Sequence, residues 1–82
     1  MEKKDVDRIL ARIFENKKYL YYATIYDKFN SVITTHDKKD GRDNGNKNYY
    51  VIYKNDSTNK YYIPYDNIGH IVVDCQYQGG LV

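Results

Sequence analysis

The first segment of the chain carries hydrophobic residues at helical spacing. Between residues 5 and 16 they recur at i, i+3, i+4, i+7 and i+8, which forms one apolar stripe on a helix. The stripe consists of Val6, Ile9, Leu10, Ile13 and Phe14. Asp5 suits the N-cap position, and Lys17 would fall on the stripe. We therefore predict a helix over residues 5–16 that turns its stripe toward the core.

From residue 19 onward the hydrophobic period changes to two, which is typical of β-strands. The predicted strands cover residues 19–26, 31–36, 49–54, 60–65 and 68–74. The segment 37–48 contains no hydrophobic residue, so we predict a mobile loop there. The pattern indicates one α+β domain over residues 1–82, in which a helix precedes a five-stranded antiparallel sheet. A sheet of this size with one helix is expected to curl into a small bent barrel.

The tyrosines are the strongest signal for function, because eleven of the 82 residues are tyrosine. Adjacent residues of a strand point to opposite faces, so each Tyr-Tyr pair sends one ring inward and one outward. Lys54 shares a face with Tyr50, and a buried lysine is rare, so Tyr50 is expected to face outward. Tyrosine is enriched at protein interfaces and also stacks on single-stranded bases. The predicted partner-binding residues are Tyr50, Tyr62 and Tyr22, with Tyr49 and Tyr61 facing the core.

The composition of the chain bears on its partner class, its cellular location and its origin. The net charge is only +2, too small to indicate nucleic-acid binding by itself. Cys75 is the only cysteine, no apolar run is long enough for a signal or a membrane span, and we expect a cytoplasmic protein. Frequent Lys, Asn, Tyr and Ile suggest an AT-rich genome, so we expect a phage or other mobile-element protein acting in the host cytoplasm. Because so small a core gives little stability, a homo-oligomer is also expected.

The segment from Tyr61 to Ile71, YYIPYDNIGHI, resembles the strand–bend–strand ending of Sm-like proteins. That family forms bent five-stranded barrels that assemble into rings, and many members bind RNA. The resemblance implies a small Sm-like or SH3-like barrel, with RNA or single-stranded DNA as the alternative partner. Where the family places basic RNA-contacting residues this chain has Tyr65 and Asp66, so no binding residue is carried over.

A second surface for nucleic acid is the basic face of the predicted helix. Lys4, Arg8 and Arg12 recur at i, i+4 and i+8, where they could follow a row of phosphates or form an ordinary solvated face.

The chain shows no constellation for catalysis, a metal or a cofactor. His36 and His70 are the only imidazoles, and neither has ligands at metal spacing in the sequence. The loop 37–48 fits neither the calcium-loop nor the phosphate-loop pattern. We therefore predict a small non-catalytic binding protein with a protein partner, which modulates a host protein if it is phage-encoded.

Overall fold

The computed structural model describes residues 1–15 and 19–77, and its first element is the helix α1, Lys3–Glu15. The backbone N–H groups of Asp5 and Val6 both donate to the Glu2 carbonyl, so Asp5 lies in the first turn and the predicted N-cap is wrong. The predicted stripe is confirmed in its centre, because Val6, Leu10 and Ile13 are fully buried. Ile9 and Phe14 are half-buried, and the predicted helix end at residue 16 lies outside the described residues.

Six strands follow the helix in the described part of the chain. They are β1 (Tyr19–Asp27), β2 (Val32–Asp37), β3 (Gly41–Asp43), β4 (Tyr49–Tyr53), β5 (Lys60–Pro64) and β6 (Ile68–Tyr77), with a single 3-10 turn at Tyr65–Asn67. All pairings are antiparallel, and the strands form two three-stranded sheets in the orders β2-β1-β6 and β3-β4-β5. The α+β composition agrees with the sequence prediction. The expected single five-stranded sheet is wrong, and within the described residues no strand ladder joins the two sheets into a barrel.

The chain passes from the first sheet to the second through a short corner between β2 and β3, residues 38–40, and returns through the 3-10 turn between β5 and β6. The sequence predicts a mobile loop over 37–48, and the structure differs in its first half, where Asp37 ends β2 and Gly41–Asp43 forms β3. The Asp40 N–H donates to the Asp37 carbonyl at 3.2 Å, and Gly41–Asp43 pairs with β4. The Asp40 side chain is buried, so a polar residue anchors the corner in place of the missing apolar one.

The core lies between α1 and the inward faces of both sheets. Besides the helix stripe it contains Ala23, Ile25, Tyr50, Ile52, Ile63, Tyr65 and Ile68. Tyr50 is fully buried whereas Tyr49 is exposed, so the predicted orientation of this pair is wrong. The cause is that β4 ends at Tyr53, and Lys54 therefore does not belong to the alternation.

Gly69 allows β1 and β6 to approach each other at the end of their ladder. The register between these strands shifts after Tyr26, and the pairs on either side are Tyr26 with His70 and Asp27 with Ile68. A Cβ atom at position 69 would lie 2.8 Å from the Asp27 carbonyl carbon, closer than real Cβ atoms come. A glycine is therefore required at this bulge for steric reasons.

Candidate partner-binding surface

The outward face of the second sheet brings three tyrosines together around one valine. Val51, in the centre of β4, lies directly opposite Tyr62 of β5 and Asp43 of β3. Tyr49 and Tyr53 lie two residues before and after Val51 on the same strand, so all of these side chains share one face. We call Tyr49, Tyr53 and Tyr62 around Val51 the tyrosine face.

Burial differs sharply between the valine and the tyrosines. Val51 is 6% exposed although it points away from the core, whereas Tyr62 is 63%, Tyr49 42% and Tyr53 37% exposed. The flanking rings therefore shield the valine and remain accessible themselves. The result is an apolar floor surrounded by amphipathic side chains, each with a hydroxyl group that can form hydrogen bonds.

The surroundings of the tyrosine face carry charges of both signs. The Lys60 ammonium lies 5.5 Å from the centre of the Tyr53 ring. At the other end of the face, a cleft of about 260 Å³ adjoins Tyr49. This cleft is lined by Lys47, Asn48, Tyr49, Pro64, Tyr65 and Asp66. The face therefore has no single-sign field of the kind that attracts a polyanion.

The three tyrosines predicted as contacts are not brought together. Tyr62 belongs to the tyrosine face, as its predicted exposure requires. Tyr22 is 40% exposed but lies on the first sheet, paired with Asp37 and Asp74. Tyr50 is fully buried and cannot contribute to an exposed surface. Tyr49, its neighbour on β4, is the exposed member of this pair.

Sequence reasoning missed Tyr49 and Tyr53 as surface residues. The signal that could have found them was Ile52, which shares the inward face with Tyr50. Tyr61 is half-buried against the core, in agreement with its predicted inward orientation.

The basic helix face is exposed but partly neutralised. Lys4 lies 3.5 Å from the Glu2 carboxylate, and Arg8 lies 3.2 Å from the Asp5 carboxylate. Two of the three cations proposed for nucleic acid therefore have an acidic neighbour, Asp5 within α1 and Glu2 just before it. This arrangement matches an ordinary solvated helix face better than a row of phosphate contacts.

Three buried titratable residues, His36, Tyr50 and Asp40, form a polar cluster inside the fold. The His36 Nε2 atom lies 2.9 Å from the Tyr50 hydroxyl, and the Nδ1 atom lies 3.5 Å from Asp40 Oδ2. Desolvation lowers the pKa of His36 below its ordinary value, although the neighbouring Asp40 opposes this effect. Burial also raises the pKa of Tyr50 to about 12. Since His36 and Tyr50 are fully buried, these two side chains support the fold and are closed to a substrate.

Asp40 is the hub that holds the cluster at the corner. Its carboxylate accepts hydrogen bonds of 3.0 Å each from the Asp37 N–H, the Asn55 N–H and the Lys54 ammonium. Burial opposes its ionisation, but these three donors together outweigh burial and hold the pKa of Asp40 below its ordinary value. The carboxylate is therefore ionised at neutral pH.

His70 lies away from this cluster, on the outward face of the first sheet. Its ring stacks on the Tyr26 ring with centres 4.3 Å apart. Over residues 1–15 and 19–77, no three His, Cys, Asp or Glu side chains are grouped to hold a metal ion. No helix within these residues is long and apolar enough to cross a membrane.

The chain matches no protein-family model, no curated protein and no solved structure.

Proposed function

We propose that this protein is a small non-catalytic binding module whose tyrosine face contacts a protein partner. The observation that carries the proposal is the convergence of Tyr49, Tyr53 and Tyr62 around the shielded Val51. Tyrosine gives a large amphipathic contact area with only two side-chain torsions to immobilise, which is why it is enriched at binding hot spots.

The charges around the face favour a protein over a nucleic acid. Asp43 lies on the face itself and Asp66 lines the adjoining cleft, so phosphates would meet carboxylates as well as Lys47 and Lys60. A protein surface with mixed charges and an aromatic centre has no such conflict.

The second candidate is a small Sm-like barrel that binds RNA or single-stranded DNA. Exposed tyrosine rings can stack on bases, and the tyrosine face would then be the stacking surface. The strand order supports the proposal of a bent barrel, because β1 lies between β2 and β6 and the corner leads directly into the second sheet.

The expected partner class follows from the proposed origin. If the gene belongs to a phage or another mobile element, the partner we propose is a host protein whose action this chain modulates. The alternative occupant of the tyrosine face is a second copy of the chain. Light scattering of the purified protein distinguishes the two, because only self-association raises the mass of the protein alone.

The test is affinity capture from nuclease-treated lysate of the cells that carry the gene, followed by binding measurements with the purified partner. Tyr62→Ala should weaken binding by about 2 kcal/mol or more, which is about thirtyfold, without lowering the melting temperature. Tyr22→Ala is the matched control, because it removes an exposed tyrosine from the other sheet. Equal loss in both variants, or none in Tyr62→Ala, would show that the tyrosine face is not the site.

A salt series separates the two candidate functions. Affinity for a nucleic acid should fall by orders of magnitude between about 50 and 200 mM salt. Binding releases counterions from the phosphates, and this release becomes less favourable as the salt concentration rises. Affinity for a protein through the tyrosine face should change little over the same range.

A further inference from the structure

We call the outward surface around Val51 the cup, with Val51 as its floor. Tyr49 and Tyr53 flank the floor along β4, each about 7 Å away at strand spacing. Tyr62 and Asp43 flank it across the sheet, each about 5 Å away. Three sides of the cup are therefore aromatic, and the fourth carries a carboxylate.

A cup of this composition matches a cation better than an uncharged group. The faces of aromatic rings are negative, and they attract ammonium and guanidinium groups within about 6 Å. Asp43 adds a full negative charge on the fourth side. Its Oδ1 atom accepts a hydrogen bond of 2.8 Å from the Gly45 N–H, which fixes the carboxylate at the end of β3.

A second observation already places a cation on this face. Lys60 lies opposite Tyr53 in the ladder, and its ammonium is 5.5 Å from the centre of the Tyr53 ring. The Tyr53 ring therefore already holds a cation of the folded chain, and the Tyr49 and Tyr62 rings with the Asp43 carboxylate are the groups left for a cation from outside. An apolar side chain in the cup would cover Val51 but would bring no positive charge to the Asp43 carboxylate.

We propose that the cup binds a basic side chain, lysine or arginine, presented by the protein partner. This inference rests on the proposed function and adds the chemistry of the residue that the tyrosine face recognises. The alkyl part of the side chain would lie on Val51, the cationic end between the rings, and Asp43 would balance its charge.

The experiment uses two pairs of small probes with the complete, isotope-labelled protein. Each pair contains a cation and its neutral isostere: capped arginine with capped citrulline, and capped trimethyllysine with its tert-butyl analogue. Binding is followed by NMR as saturable shifts of the Tyr49, Tyr53 and Tyr62 ring signals. We expect both cations to bind at least about threefold more tightly than their isosteres, as one cation–π contact predicts.

Two variants examine the walls of the cup separately. Tyr62→Ala should abolish the saturable shifts. Asp43→Asn should weaken binding of the cations at least about threefold and leave binding of the neutral probes unchanged. Tyr22→Ala should leave every probe unchanged. Because Tyr62 and Asp43 are exposed, both variants are expected to fold.

The outcomes separate this inference from the function on which it rests. Equal binding of cations and isosteres, or absence of saturable shifts, overturns the basic-residue inference. If Tyr62→Ala still weakens binding of the captured partner protein in that case, the protein-binding function stands without the basic-residue inference. If an oligonucleotide shifts the same rings while the cations do not, both proposals are wrong.

Discussion

The Nε2 atom of His36 lies 2.9 Å from the hydroxyl group of Tyr50, and neither side chain is exposed to solvent. This contact connects β2 of the first sheet with β4 of the second. The ring of Phe14 on α1 lies 5.4 Å from the His36 ring, so the helix meets the same point. A buried polar contact thus lies where the helix and both sheets meet.

Removing only the Tyr50 hydroxyl should be costly. Tyr50→Phe keeps the ring but leaves His36 Nε2 buried without its partner, which should lower the free energy of unfolding by about 1–3 kcal/mol. Urea denaturation gives this value. Tyr49→Phe is the matched control and should be near neutral, because its ring is exposed. Similar stabilities for the two variants would argue against the His36–Tyr50 contact.

The stability of the protein should depend on pH through His36. Because its pKa is lowered in the folded state, the unfolded chain binds the proton more readily. The neutral imidazole therefore contributes fully above about pH 6.5, and the free energy of unfolding falls by up to about 1.4 kcal/mol per pH unit below it. Asp40 opposes this trend as a nearby anion, whereas Lys54 and Arg42 reinforce it.

Urea denaturation between pH 8 and pH 5 measures this dependence. His36→Gln should flatten the decline, whatever its own cost to stability. His70→Gln, which alters an exposed ring, should keep the slope of the native protein. An unchanged slope in His36→Gln would assign the pH dependence to another group.

Asp40 should be essential to the corner between the sheets. Asp40→Ala leaves the Asp37 and Asn55 N–H groups without their acceptor and leaves the Lys54 ammonium with only its Thr35 contacts, so we expect a loss of about 3 kcal/mol or more. Asp43→Ala, an exposed aspartate three residues along, should change stability by less than about 0.5 kcal/mol. Hydrogen exchange at the Asp37 and Asn55 amides locates the effect, since both should lose protection in Asp40→Ala.

The helix stripe provides a fourth prediction. Leu10 is fully buried, so Leu10→Ala should cost about 2–5 kcal/mol through lost burial and the cavity left behind. Arg12 is exposed on the opposite face, and Arg12→Ala should be near neutral. Thermal melts of both variants decide the point. A larger loss of stability in Arg12→Ala than in Leu10→Ala would mean that the apolar stripe of α1 does not pack in the core.

The sequence predicted those features that depend on local periodicity. The buried centre of α1 followed from its apolar spacing, and the antiparallel strands followed from runs of period two. The loop prediction for residues 37–48 missed β3 because the anchor of this segment, Asp40, is polar. Two of the three donors that make its burial favourable, the Lys54 ammonium and the Asn55 N–H, come from a distant part of the sequence. A prediction from composition treats an aspartate as a solvent-exposed residue.

The tyrosine face could be predicted only in part, because register is a tertiary property. Tyr62 was placed correctly from its own strand. Tyr50 was placed wrongly because Lys54 was counted within β4, although the strand ends at Tyr53 and the lysine reaches back to Asp40. The cup around Val51 needs residues from three strands, and no single stretch of sequence indicates that they meet.

Gly69 separates two properties that usually go together, solvent exposure and tolerance to mutation. It lies on the surface, yet any side chain there would collide with the Asp27 backbone and force β1 and β6 apart. In a library of random variants, position 69 should be depleted as strongly as a core position. An engineer who selected labelling sites by accessibility alone would choose this residue and lose the longest ladder of the first sheet.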